Sequence, residues 1–245
     1  MKLDAFRTTA ACAALLCVAL TGCGDSTASD GGNAARRGDD GPLILAVMPE
    51  IPPYAYIDRK TGEIRGIDID IVKAAAARLG RPLKIRRVPF SDVVPSVKDG
   101  RADFAAAGLT ITEGRRRNVD FSIPYATEGT AFLYRTGETV PTMIVAETAR
   151  VAVVESMVHD FYLTRHGIDP RRYSSLDEAL AALMSHEVDM IAYDRPAVKT
   201  VADASNGRLS VTPLETRELY GIAVRKDRPD CLAAVNSVIM ERKSK

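Results

Sequence analysis

The sequence has no tryptophan, three histidines and four cysteines, and aromatic residues fill only 6% of its 245 positions. Each scarcity closes a class of function. Cys12, Cys17, Cys23 and Cys231 form no C-x-x-C pair and no Cys/His spacing of the kind that holds zinc. His159, His166 and His186 are scattered over predicted helices and read as surface or capping residues. There is no Ser/His/Asp order, no G-x-S-x-G elbow and no phosphate loop, so no enzyme chemistry is indicated. No cofactor and no metal are expected. The formal net charge is +1, and the arginines form no basic stripe interleaved with aromatics, which argues against nucleic acid. What is present is ordinary for a globular chain, 46% hydrophobic and 27% charged. The length leaves room for one large domain or two small lobes.

The first residues read as an address. Lys2 and Arg7 precede a continuous small and apolar run, Thr8 to Leu20. That run is short of the ~20 residues a membrane-spanning helix needs and suits the core of a signal peptide. It ends in Leu20-Thr21-Gly22-Cys23, which resembles the bacterial lipobox. The resemblance implies cleavage before Cys23, a lipid (palmitate) on that cysteine and a place in the cell envelope, facing the periplasm or the exterior. Residues 24–41 are rich in Gly, Ser, Asp and Ala and read as a flexible tether. Cys231 would then have no disulfide partner and reads as a packing residue.

From Pro42 onward, strand and helix patterns alternate. Pro42–Met48 is a continuous apolar run, hence a buried strand. Asp58–Glu63 reads as a hairpin tip. The stretch from Gly66 to Gly80 reads as a helix, with Asp68 and Asp70 placed to favour its N-terminal dipole. Leu83–Val88 is the next strand, and Phe90–Gly100 a turn and helix. Val151–Val154, Val188–Tyr193 and Leu209–Val211 read as strands, Met157–His166 and Ser175–His186 as helices. Tyr220–Arg225 reads as one strand, and Pro229–Arg242 as a final helix. Such alternation with short loops indicates an α/β fold.

One stretch concentrates chemistry: Ala107-Gly108-Leu109-Thr110-Ile111-Thr112-Glu113-Gly114-Arg115. It follows a short apolar strand and opens a polar helical turn. Free backbone N–H groups and a helix dipole at such a turn make an anion seat. Thr110 and Thr112 add hydroxyls, and Arg115 adds a planar fork of donors that fits a carboxylate. The plainer reading is that Thr112 caps a surface helix and Arg115 to Arg117 are solvated.

With the following Val119-Asp120-Phe121-Ser122-Ile123-Pro124-Tyr125, this stretch resembles the signature of family 3 extracellular solute-binding proteins, the amino-acid receptors of ABC importers. The likeness runs, with gaps, from about Leu43 to about Arg242. It implies a two-lobed, periplasmic-binding-protein-like (type II) α/β fold with a ligand cleft between the lobes. Lobe one would span 42–128, lobe two 129–215, and 216–245 would return to lobe one. It also implies a single protomer and two partners beyond the ligand: permease subunits, and the membrane through the lipid anchor.

The same resemblance assigns roles. Gly108, Thr110 and Arg115 would hold a ligand carboxylate. Asp194 falls on the family's ammonium-binding aspartate, although it also suits a helix N-cap before Arg195-Pro196. Phe90 matches the ligand-stacking aromatic, although a core or loop-anchoring role suits it equally. Ser156-Met157-Val158 departs from the family's threonines, and Val158 would line the ligand there. Met48 and Ile51 stand at two further positions near the ligand, so the pocket would be unusually apolar and take an apolar or aromatic amino acid. Two alternatives stay open. One is a sensory or accessory lipoprotein without a transport role. The other is an enzyme like the cyclohexadienyl dehydratases, disfavoured because Ala197 stands where those enzymes carry a glutamate.

Overall fold

The computed structural model describes residues 41–244; Cys23, the lipobox-like segment, the tether through residue 40 and Lys245 lie outside the described residues. Two five-stranded sheets organise the chain, and they share one plan. In the first, Leu83–Arg87, Leu43–Val47 and Phe104–Ala106 run parallel, followed by Ala223–Val224 and Asp120–Phe121. In the second, Arg171–Tyr173, Val151–Val154 and Met190–Asp194 run parallel, followed by the antiparallel Thr130–Arg135 and Leu209–Val211. Parallel neighbours need crossovers, usually helical. Ile67–Arg78 and Phe90–Lys98 serve the first sheet, Val158–Arg165 and Leu176–Met184 the second. The result is a two-lobed α/β fold.

Burial follows from that plan. Strands covered on both faces read as unbroken apolar runs rather than alternating ones. Leu43–Val47 and Val151–Val154 are buried at every residue. The final helix, Pro229–Lys243, packs on Ile67–Arg78. Cys231 is buried there, and burial pushes its thiol up to about 12, so it is a packing residue.

The chain passes between the sheets twice, through Ala126–Glu128 outward and Glu218–Tyr220 on return, and these two segments pair antiparallel. The single strand read at Tyr220–Arg225 is in fact two, Glu218–Tyr220 and Ala223–Val224. They are separated at Gly221, where a β-carbon would lie 2.9 Å from Ile111 Cδ1. The ribbon therefore turns tightly against the 108–112 turn, where the candidate site is built.

Candidate ligand cleft

The first wall starts at Gly108. Its φ of +55° is left-handed, and a β-carbon would stand 3.1 Å from both Ile51 Cγ2 and Tyr220 Cε2. Only glycine meets both demands without strain. Its N–H donates to Asp68 Oδ2 at 2.9 Å, and Asp68 also accepts the Tyr125 hydroxyl. This corrects one expectation and adds to another. The Gly108 N–H is engaged internally rather than free for an anion. Asp68 does stand in the first turn of the Ile67–Arg78 helix, as Asp70 does, but it is fully buried beneath the 108–112 turn, while Asp70 stays exposed. Burial pushes the Asp68 carboxyl up to about 6, against the opposing pull of those two hydrogen bonds.

The turn is strapped to the returning ribbon by Ile111 N–H to Leu219 O at 2.8 Å and Gly221 N–H to Leu109 O at 3.0 Å. Thr112 Oγ1 caps the four-residue Glu113–Arg116 helix by accepting the Arg115 N–H at 3.2 Å. Arg115 is not solvated like Arg116 and Arg117. Its Nη1 donates to Thr110 O at 2.8 Å, and its guanidinium carbon lies 5.4 Å from the centre of the half-buried Phe90 ring. Burial lowers its pKa to about 10, with Asp194 and Glu218 opposing that fall.

The second wall centres on Asp194. It ends the Met190–Asp194 strand and is 1% exposed. It sits at the cap position of the Arg195–Asp203 helix, but its side chain makes no cap hydrogen bond. Instead it accepts the Tyr220 hydroxyl and lies 3.3 Å from His159 Nε2. His159 is fully buried, and its Nδ1 meets Thr130 Oγ1 at 2.9 Å. That corrects the reading of His159 as a surface or capping residue; His166 and His186 are exposed. Val158 opens the helix whose second residue is His159, and it is half-buried.

Glu218 joins the walls. It accepts from Thr110 Oγ1 at 2.7 Å, from Thr216 Oγ1 at 2.7 Å and from Thr130 Oγ1 at 3.2 Å. Thr110 and Arg115 of the first wall are thereby linked to His159 and Asp194 of the second through one polar chain. Sequence reasoning missed both His159 and Glu218. Two signals could have found them: His159 lies four residues before the buried Leu163, on one helix face, and Glu218 shares strand parity with Tyr220.

Beside Phe90 a cavity of about 290 Å³ opens between the lobes. Met48, Phe90 and the Glu50–Arg87 pair line it from the first lobe, Val154 and Ser174 from the second. Ile51 is instead fully buried against Gly108. The pocket is thus not apolar throughout. Glu50 Oε1 and Arg87 Nη2 lie 3.6 Å apart, and burial raises the Glu50 carboxyl while Arg87 pulls it down. Among the described residues, no group of three or more His, Cys, Asp or Glu side chains is placed to hold a metal ion. No described helix is long and apolar enough to cross a membrane.

Residues 43–245 match the profile of the bacterial extracellular solute-binding proteins, family 3. The L-cystine-binding protein TcyJ of Escherichia coli (strain K12) is 26% identical over 218 residues, 87% of this chain and 82% of that protein. The arginine-bound form of truncated ArgBP from T. maritima superposes with a TM-score of 0.77 at 30% identity, covering 82% of this chain and 96% of that one. An ancestral amino-acid-binding protein, described as a precursor of cyclohexadienyl dehydratase, superposes with a TM-score of 0.75 at 26% identity, covering 84% and 91%.

Proposed function

This chain belongs to the bacterial extracellular solute-binding proteins of family 3, and we propose that it captures a free amino acid between its lobes and delivers it to the permease of an ABC importer. One observation carries the reading. The half-buried Arg115, on the first wall, lies within the field of the buried Asp194 side chain on the second. A free amino acid is a zwitterion, and burying it requires a partner for each charge. Arg115 and Thr110 answer the carboxylate, at the turn that Gly108 shapes. Asp194 answers the ammonium. Phe90, already stacked on Arg115, offers its ring to the ligand, and Val158 lines the opposite side at the start of its helix.

The ligand's two charges then fall on different lobes, 42–128 with 216–245 on one side and 129–215 on the other. Binding favours closure by the difference in affinity between the closed and open forms. A permease reads the closed shape. A lipid on Cys23 and the tether that follows would hold the single protomer at the envelope surface, facing the periplasm or the exterior. The named functions of relatives support this assignment: one binds L-cystine, and one was solved with arginine bound. The neighbour described as an enzyme precursor supports the dehydratase reading less than Ala197 opposes it, and turnover of prephenate or arogenate by the purified protein would reinstate that reading.

A thermal-unfolding screen of the chain against the twenty amino acids and common organic acids tests the proposal. A ligand at a hundred times its dissociation constant adds about 2.7 kcal/mol to stability. An amino acid that raises the midpoint for the parent chain, and fails to do so for Arg115→Ala, is the expected result. Stabilisation by organic acids alone would discard the amino-acid assignment.

A further inference from the structure

We propose that the cleft takes an elongated ligand with two zwitterionic heads, a bis-amino acid, whose second head docks on Glu50 and Arg87. The inference rests on the amino-acid reading above and extends it to the far end of the ligand. The starting point is continuity. Phe90 lines the cavity and also carries the Arg115 guanidinium 5.4 Å from its ring centre. One aromatic ring therefore borders both Arg115 and the cavity.

That space is large for a simple side chain. About 290 Å³ already approaches the size of a whole small-molecule site, roughly 300–1,000 Å³. Its apolar lining, Met48, Phe90 and Val154, suits a methylene, thioether or disulfide spacer. The same lining carries Glu50 and Arg87, 3.6 Å apart.

Charge then selects the tip. A lone cationic tip is drawn to Glu50 and repelled by Arg87. A lone anionic tip meets the reverse. An apolar tip covers a carboxylate that the fold has already partly desolvated and gives it nothing. A tip bearing an ammonium and a carboxylate answers both groups at once, whereas a singly charged tip engages one of them only by drawing it from the other. Val154 and Ser174 belong to the second lobe, so the outer half of such a ligand also touches both lobes.

Calorimetric titration of the full chain decides the matter. The two-headed probes are L-cystine and meso-2,6-diaminopimelate; the single-headed probes are L-leucine, L-methionine, L-lysine and L-glutamate. The expected result is that one two-headed probe binds at least about tenfold more tightly than any single-headed one, a difference of about 1.4 kcal/mol. In the double variant Glu50→Gln/Arg87→Met that advantage disappears through loss of two-headed affinity, while a cooperative unfolding transition like the parent's shows that the variant is folded. Single-headed probes binding as tightly as two-headed ones would overturn the inference and leave the amino-acid reading standing. So would a variant that weakens leucine and the two-headed probe alike. Binding of no amino acid at all would remove both.

Discussion

The two walls of the cleft are assembled in different ways. The first is local: Gly108, Thr110, Thr112 and Arg115 lie within eight consecutive residues, and Arg115 hydrogen-bonds a carbonyl only five positions back. The second is assembled from far apart: Asp194 takes its partners from His159, 35 positions away, and Tyr220, 26 positions away. A local wall keeps its geometry through a cap and a turn, and one substitution removes one function. A dispersed wall shares its geometry among several side chains, so each removal costs less and is more easily rescued.

The largest effect is expected at Arg115. Arg115→Ala should weaken amino-acid binding by roughly 2–5 kcal/mol, since it leaves the ligand carboxylate buried without a partner. Calorimetry on the variant checks this. A loss well below that range would mean the first wall is not the anion seat.

Asp68, beneath the same turn, should show itself through pH. Its folded carboxyl titrates near 6 against an ordinary 3.8, so the folded state holds the proton more tightly than the unfolded one. Its contribution to stability is therefore present below about pH 4 and lost as pH rises through 6, by about 3 kcal/mol. Denaturant unfolding at pH 4 and pH 7 should show the parent chain losing that amount relative to Asp68→Asn. Equal pH dependence in the two proteins would rule out the buried, proton-favouring site.

The second wall should respond more softly. His159→Ala is expected to weaken amino-acid binding by about 1.5–3 kcal/mol, the range for a hydrogen bond to a charged group. His159→Gln, which can still donate to Asp194, should recover part of the loss. Failure of glutamine to recover anything would argue that His159 fills space rather than orients the carboxylate. Tyr220→Phe removes the other hydrogen bond to the same carboxylate and should be the mildest change, at the foot of that range, about 1.5 kcal/mol, because the ring packing on Tyr54 and Gly108 survives without the hydroxyl.

The same contrast explains what could be read before the structure. The strands Leu43–Val47 and Val151–Val154 are unbroken apolar runs because both faces are covered, so composition alone located them. The Thr112 cap is legible because its cause, the Arg115 N–H three residues on, is a neighbour in sequence. The burial of Asp68 is not legible, for the opposite reason. Its spacing suits a helix N-terminus, and only the tertiary approach of Gly108 and Tyr125 turns it inward. His159 was misread for that reason: a histidine on a short helix is commonly exposed, and nothing local announces that Thr130 and Asp194 close over it. The break at Gly221 depends on Ile111, over a hundred residues earlier in the chain.

The central claim is that Arg115 and Asp194 divide a zwitterion between two lobes. The most direct measurement takes the amino acid found by the screen, its carboxamide and its deamino analogue, and titrates each into the parent chain, Arg115→Ala and Asp194→Asn. The account predicts that the parent rejects both analogues, that Arg115→Ala no longer distinguishes acid from amide, and that Asp194→Asn no longer distinguishes amine from deamino compound. An Arg115→Ala protein that still prefers the acid, or an Asp194→Asn protein that still requires the amine, would contradict it.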